Sequence, residues 1–160
     1  MSVNKHLPHI YVLPEDDADR RLANGFHLEV DRIRQMQVLP AAGGWNEVLN
    51  SFNRDHVGKM ERWTNRFMVL VIDFDGHEER LADAKKVIPA GLIDRVFILG
   101  ALTEPEDLTA DLGLFEEIGR AMARDCRSQT DTTWGHELLR HNAAEIERMR
   151  DHVRPILFGI

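Results

Sequence analysis

The sequence predicts an α/β fold, with a mainly parallel four-stranded sheet, helices on both faces and additional C-terminal helices. Four short runs are apolar throughout instead of alternating, which is typical of strands buried on both sides. Amphipathic helical patterns separate these runs, as the crossover connections of a parallel sheet require. We expect one domain of 160 residues, with a core at about 9–112 and a helical extension at about 113–160.

The predicted elements follow the order strand, helix, strand, helix, strand, helix, strand, and then helices. Pro14 and the acids after it close the first strand, and Asp16 or Asp17 can cap the first helix. The predicted strands are 9–14, 34–44, 67–72 and 95–102. The predicted helices are 16–28, 45–63, 77–87, about 114–128 and about 134–153.

Composition narrows the class of protein. A hydrophobic content of 43% is enough for a packed core, and no apolar run approaches the roughly 20 residues that span a bilayer. The N-terminus lacks the apolar region of a signal peptide, and the single Cys126 cannot form an internal disulfide. We therefore expect a cytoplasmic protein with no membrane association.

Charge argues against unaided binding of nucleic acid. The formal net charge is −7, whereas phosphate binding is driven by Lys and Arg, although bound cations can neutralise acids. The basic residues are clustered, and solvated helix faces explain most of the clusters. These clusters are Arg20-Arg21, Arg32/Arg34, Lys59/Arg62/Arg66 and Lys85-Lys86.

Acids and glycines follow the predicted strands, where parallel sheets bind their ligands. They are Glu15, the pair Gly43-Gly44, Asp73 and Asp75, and Glu104 and Glu106. If Phe74 continues the third strand, Asp73 and Asp75 point to one side and converge on one ion. If strands one and three are neighbours, Glu15 faces them. Carboxylates this close repel each other without a cation, so the pattern predicts a divalent metal such as Mg²⁺.

The stretch "MVLVIDFDGH" resembles motif one of haloacid-dehalogenase-like phosphatases, in which a strand precedes DxDGT. That resemblance implies a phosphohydrolase with Asp73 as nucleophile. His77 stands where that family has Thr, a complete strand–helix–strand–helix segment precedes this strand, and no lysine follows Lys86. This interpretation is kept as an alternative.

Four segments in order resemble a small Toprim domain of the OLD-nuclease-like group. They are "IYVLPEDDAD", "VLPAAGGWNEVL", "MVLVIDFDG" and "RVFILGALTEPEDL". The resemblance implies phosphotransfer on nucleic acid, DNA or RNA, most simply by a nuclease that depends on Mg²⁺ or Mn²⁺. It also implies a role in phage defence with an ATPase partner protein. Glu15, Asp73 and Asp75 would be catalytic and metal-binding, with Glu15 a ligand or a general acid–base. The further metal candidates are Asp19, Glu104 and Glu106. Asp19 could equally be a first-turn helix acid favoured by the helix dipole, and one of Glu104 and Glu106 could complete a second metal position.

Several other residues are candidates for substrate contact. Gly43 and Gly44 would let a phosphate approach the backbone, or they form a strand-to-helix turn. His136 and Arg140 are four residues apart and could share the face of a lid over the substrate, or form a helix entry. The C-terminal "ILFGI" could be a homodimer contact, a partner contact or a docked tail. A non-catalytic Toprim-like binding or regulatory subunit is the remaining alternative.

Overall fold

The computed structural model describes residues 2–160 and contains a fully parallel four-stranded sheet. The strands are β1 (His9–Pro14), β2 (Met36–Val38), β3 (Arg66–Val71) and β4 (Val96–Leu99). Their order across the sheet is β2-β1-β3-β4. The predicted α/β class and parallel sheet are confirmed, and β1 and β3 are neighbours. The second and fourth strands are shorter than predicted at both ends, and a turn of 3₁₀ helix directly precedes each of them.

Helices cover both faces of this sheet. They are α1 (Asp17–Leu28), α2 (Trp45–Ser51), α3 (Val57–Arg62), α4 (Arg80–Lys86), α5 (Thr109–Leu112), α6 (Phe115–Ser128) and α7 (Ala143–Phe158). One apolar cluster lies beneath α1, α6 and α7, and the other beneath α2, α3 and α4. Val12 and Val69 belong to the first cluster, whereas Leu13 and Leu70 belong to the second. Adjacent strand residues thus enter opposite cores, which explains why these strands are apolar throughout.

The helix predicted over 45–63 is interrupted by a π-helical turn at Phe52–His56. Within this turn the Asn53 side chain donates a hydrogen bond to the Leu49 carbonyl at 3.0 Å. A side chain that bonds to the backbone ladder of a helix is a recognised cause of such irregularity. The single predicted helix is therefore observed as α2 and α3.

The helix predicted over 134–153 is wrong at its start, because α7 begins at Ala143. Residues 130–134 instead form a loop around the buried carboxylate of Asp125. That carboxylate accepts hydrogen bonds from the Thr130 hydroxyl and from the backbone N–H groups of Thr132, Thr133 and Trp134. Four donors on one carboxylate replace the bonds that a helix would have supplied.

Side chains that precede or belong to α7 cover the outer edge of β4. Asn142 bonds to both the N–H and the carbonyl of Gly100. Glu145 accepts from the Ile98 N–H at 3.2 Å, and Arg148 donates to the Val96 carbonyl at 2.8 Å. This edge strand is thereby satisfied without another strand, which protects it from pairing with other chains.

The C-terminal segment packs into the core of its own chain. Leu157 and Phe158 are buried, whereas Ile160 is exposed. The tail is thus docked on its own chain, and a homodimer or partner contact through it stays a prediction. No helix within residues 2–160 has the length and apolar character needed to cross a bilayer.

Candidate metal centre

The candidate site lies where β1 and β3 end side by side. Pro14 is paired with Val71, and the Glu15 N–H donates to the Val71 carbonyl at 2.8 Å. The Asp73 N–H in turn donates to Oε2 of Glu15 at 2.5 Å. Backbone pairing between two neighbouring strands thus holds the Glu15 carboxylate beside Asp73.

The third carboxylate comes from the first turn of α1. Asp16 caps this helix, and its side chain accepts from the Asp19 N–H at 3.0 Å. Because the cap directly follows Glu15, the first helical turn lies over the end of β1. Oxygens of Glu15, Asp19 and Asp73 lie within 4.8 Å of one another, and all three residues are buried. We call these three residues the carboxylate triad.

The triad has oxygen atoms to offer a cation. Within the described chain, no N–H or O–H donor reaches either oxygen of Asp19 or Oδ1 of Asp73. Buried polar atoms without partners are rare in proteins and each one calls for an explanation. Hard divalent cations such as Mg²⁺ prefer carboxylate oxygens. The triad could therefore bind a metal ion, and its chemistry fits one.

The surroundings of Asp19 explain why its carboxyl is poorly solvated. A cavity of about 70 Å³ borders Asp19 and is otherwise lined by apolar side chains of α1, α6, α7 and the sheet. Trp134, held by the loop around Asp125, is part of its wall. Asp19 thus has hydrocarbon on one side and the other acids of the triad on the other.

Burial and mutual repulsion raise the pKa of every member of the triad. Burial is the largest cause for Asp19, and the neighbouring Asp73 and Asp16 raise its pKa further. Burial is also the largest cause of the raised pKa of Asp73. The neighbouring Asp19 side chain acts in the opposite direction, and the charge of Glu15 reinforces the rise. For Glu15, burial outweighs the bond from the Asp73 N–H. A state in which Asp19 and Asp73 are both charged is therefore disfavoured unless a cation balances their charge.

Asp75 does not join the triad. β3 ends at Val71, and the Asp75 backbone is left-handed, with φ of 49°. The Asp75 carboxylate is 56% exposed and pairs with Arg80 at 3.0 Å. The predicted convergence of Asp73 and Asp75 on one ion is therefore not observed, because the extended backbone that it requires does not continue past Phe74.

Arg80 is a site residue that the sequence analysis missed. Its Nη1 donates to the Asp73 carbonyl at 2.8 Å and to Oδ2 of Asp75 at 3.0 Å. Its guanidinium lies over the Trp45 ring, 4.7 Å from the centroid, and the side chain is 16% exposed. The triad thus has a fixed cation beside it. Only its position seven residues after Asp73 could have suggested this, and that spacing is not a known signal.

Gly43 and Gly44 form the turn between β2 and α2. Their φ angles are 101° and 144°, a region that favours glycine. The Gly43 N–H donates to the Glu15 carbonyl at 2.8 Å. The turn therefore lies beside the triad, and its backbone is in part committed to holding Glu15 in place.

Glu104 and Glu106 lie outside the triad on the loop after β4. Both are exposed. The charge of Glu106 is the largest cause of a raised pKa at Glu104, and burial, Asp107, Asp75 and Asp16 contribute less. The exposed rim around the triad is thus strongly negative.

His136 and Arg140 are not part of the triad either. Nδ1 of His136 accepts from the Leu138 N–H, so its Nε2 carries the proton and donates to Asp111 at 2.8 Å. Arg140 is exposed at the start of the turn before α7. The predicted contact of these two residues with substrate remains a prediction.

Comparisons with known proteins do not add to this picture. The chain matches no protein-family model, and no similar curated protein or solved structure was found. The Toprim resemblance therefore depends on the ordered motifs alone, and the site has to be interpreted from its own geometry.

Proposed function

We propose that this protein is a divalent-metal-dependent enzyme that cleaves phosphodiester bonds in nucleic acid, with Mg²⁺ or Mn²⁺ as its ion. The observation that carries the proposal is the carboxylate triad, with three unpartnered buried oxygens at the carboxyl ends of two adjacent parallel strands. Ligand sites are expected at this edge of such a sheet. The order of the four sequence motifs supports a Toprim-like enzyme, most simply a nuclease.

Each residue of the site has a distinct role in this proposal. Glu15, Asp19 and Asp73 hold the ion, which supplies charge neutralisation at the phosphate and an activated water. The hydrogen bond donated by the Asp73 N–H group holds the Glu15 carboxylate in place. Arg80, fixed by Asp75 and Trp45, meets a non-bridging phosphate oxygen and orients the scissile group. Asp75 then acts by positioning Arg80 and is not itself a metal ligand.

The first test is a crystal soaked in Mn²⁺, with the ion located by anomalous scattering. The expected result is one Mn²⁺ in contact with Glu15, Asp19 and Asp73. Mn²⁺ on Asp73 and Asp75, with Glu15 directed elsewhere, would instead support the phosphatase alternative. No ion at millimolar Mn²⁺ would support the non-catalytic binding subunit.

The second test is cleavage of labelled DNA and RNA with Mn²⁺ or Mg²⁺. We expect Asp73→Asn and Glu15→Gln to abolish cleavage, since each removes charge from the ion-binding group. Glu79→Gln, an exposed change of the same kind near Asp75, should retain it. The phosphatase alternative is tested with a small phosphate ester as substrate. If Glu15→Gln hydrolyses this ester and Asp73→Asn does not, Asp73 is a nucleophile and the nuclease proposal is wrong.

A further inference from the structure

A second charged surface lies at the opposite end of the sheet from the carboxylate triad. The basic side chains at or near the amino ends of the strands include Lys5, Arg34, Lys59 and Arg62, all of them exposed. Among residues 2–160, none of these four lies within ion-pairing distance of a carboxylate. We call these four residues, together with Trp63, the amino-edge surface.

Two of these cations lie close to the Trp63 ring. Nζ of Lys5 is 5.5 Å from the centroid of the Trp63 ring, and the Arg62 guanidinium is 5.6 Å from it. The His6 ring meets it edge-on at 6.4 Å. Trp63 is partly exposed, so a planar aromatic group and two free positive charges are presented together.

The members of this surface are connected to one another. The Asn4 N–H donates to the Arg34 carbonyl at 3.2 Å, which places the segment that carries Lys5 beside Arg34. Lys59 and Arg62 are three apart on α3 and share a face. Glu61 lies between them in sequence, and at spacings of one and two residues it does not face either of them.

A buried cation lies beneath the surface. Arg66 is 1% exposed, and its hydrogen-bond partners are the neutral groups Nε2 of His9 and the Tyr11 hydroxyl, at 3.0 and 3.3 Å. No carboxylate pairs with it within the described chain, although a buried charge without a counter-charge is costly. The pKa of His9 is lowered by burial first, and Arg66 and Lys5 lower it further. The charges of Arg66 and Lys5 therefore act together at His9.

We propose that the amino-edge surface binds a nucleic-acid strand, with Lys5, Arg34, Lys59 and Arg62 on its phosphates and Trp63 stacked on a base. Alternating cations and an exposed aromatic ring match the alternating phosphates and bases of a single strand. The segregation of charge also explains how a chain of net charge −7 can hold a polyanion. An acidic protein segment would use the cations but would leave the Trp63 face without a planar partner.

This surface is distinct from the proposed reaction site. β1 and β3 each have six residues, so their two ends are about 20 Å apart at about 3.3 Å for each residue. A strand bound at the amino edge is therefore held away from the triad. The binding does not require the cleavage proposed above, and the two proposals can fail separately.

The test is fluorescence anisotropy with a labelled single-stranded oligonucleotide of about 20 nucleotides, in EDTA and 50 mM salt. EDTA removes metal and prevents cleavage, so only binding is measured. We expect Lys59→Glu/Arg62→Glu to weaken binding at least tenfold, and to reduce the slope of log K against log salt by about 1.4, or about 0.7 for each lost phosphate contact. Trp63→Leu should weaken binding several-fold and leave that slope unchanged.

The matched control is Arg21→Glu/Lys86→Glu, which changes net charge equally. Arg21 and Lys86 are exposed side chains on α1 and α4, each in a weak surface pair. Equal weakening by the two double variants would show a general charge effect and overturn the proposal. Displacement of the strand by polyglutamate or free phosphate as readily as by unlabelled strand would overturn it too. Equal thermal midpoints for all variants establish that they are folded.

Discussion

Asp19→Asn is expected to stabilise the protein in EDTA and to remove its response to divalent metal. Asp19 is fully buried between an apolar cavity and the acids of the triad, so its charged form is strongly disfavoured. An asparagine amide has the same shape and can donate a hydrogen bond to Asp73, as the protonated acid does. A neutral side chain removes the cost of burying a carboxylate here, and the expected gain is on the order of 1–4 kcal/mol, since each unit of raised pKa corresponds to about 1.4 kcal/mol. In a domain of this size the midpoint of thermal unfolding rises by about 2–4 °C for each kcal/mol added to the free energy of unfolding.

The pH dependence of this effect follows from the raised pKa of Asp19. The folded chain keeps a proton that the unfolded chain releases above its ordinary pKa of 3.8. The stability contributed by this proton is complete below that value and is lost as pH rises towards the folded-state pKa. The advantage of Asp19→Asn over the original chain should therefore grow between pH 5 and pH 8, measured by thermal unfolding in EDTA.

Addition of Mn²⁺ should stabilise the original chain more than the Asp19→Asn protein. An ion that binds only the folded chain stabilises it by about 2.7 kcal/mol at 100 times its dissociation constant. The original chain should gain this, whereas Asp19→Asn should gain little. Asp17→Asn is the control, because Asp17 lies on the same helical turn with a side chain that is 71% exposed. The prediction is contradicted if Asp19→Asn has a lower thermal midpoint than the original chain in EDTA. It is also contradicted if Mn²⁺ raises the two thermal midpoints equally.

The sequence predicted the triad only in part, because its members are fixed by different kinds of interaction. Glu15 and Asp73 follow buried apolar runs, and parallel strands bring such positions to one edge. Asp19 lies three residues after the helix cap at Asp16, so helical spacing alone places it near the end of β1. These relations are local to the chain, apart from the adjacency of β1 and β3.

The position of Asp75 could not be predicted from the sequence, because a segment distant in the chain determines it. The N–H groups of Asp75 and Gly76 donate to the carbonyls of Thr103 and Leu102, in the loop after β4. These bonds turn the backbone at Asp75 and bring its carboxylate to Arg80. The late start of α7 has a similar origin. The loop that follows α6 donates hydrogen bonds to the Asp125 carboxylate, and helical periodicity does not reveal these bonds.

Glu145→Ala is expected to destabilise the protein by about 1–3 kcal/mol, with or without metal. The Glu145 carboxylate is 1% exposed, pairs with Lys85 and with Arg148 at 2.8 Å, and accepts from the Ile98 N–H. Lys85 and Arg148 would lose their buried partner, but both are about one-third exposed, so solvent compensates part of that loss. The edge of β4 would also keep a buried N–H without an acceptor. Urea unfolding at pH 7 measures the loss directly.

The behaviour of Glu145 in acid should be opposite to that of Asp19. Burial raises its pKa, but hydrogen bonds from Arg148, Lys85 and the Ile98 N–H outweigh burial, so the folded-state pKa is lowered. Its contribution is present above the ordinary value of 4.5 and is lost as pH falls through the folded-state pKa, so the cost of Glu145→Ala should shrink in acid.

Two variants separate the charge of Glu145 from its hydrogen bond and provide a control. Glu145→Gln keeps an acceptor for the Ile98 N–H and should cost less than Glu145→Ala. Glu147→Ala removes an exposed acid from the same helix and should change the free energy of unfolding by less than about 0.5 kcal/mol. A Glu145→Ala protein as stable as the Glu147→Ala protein would mean that α7 does not secure the edge of β4. The loop after β4 also holds the turn at Asp75 by hydrogen bonds. Loss of the contacts at the edge of β4 should therefore also disturb the backbone near the triad.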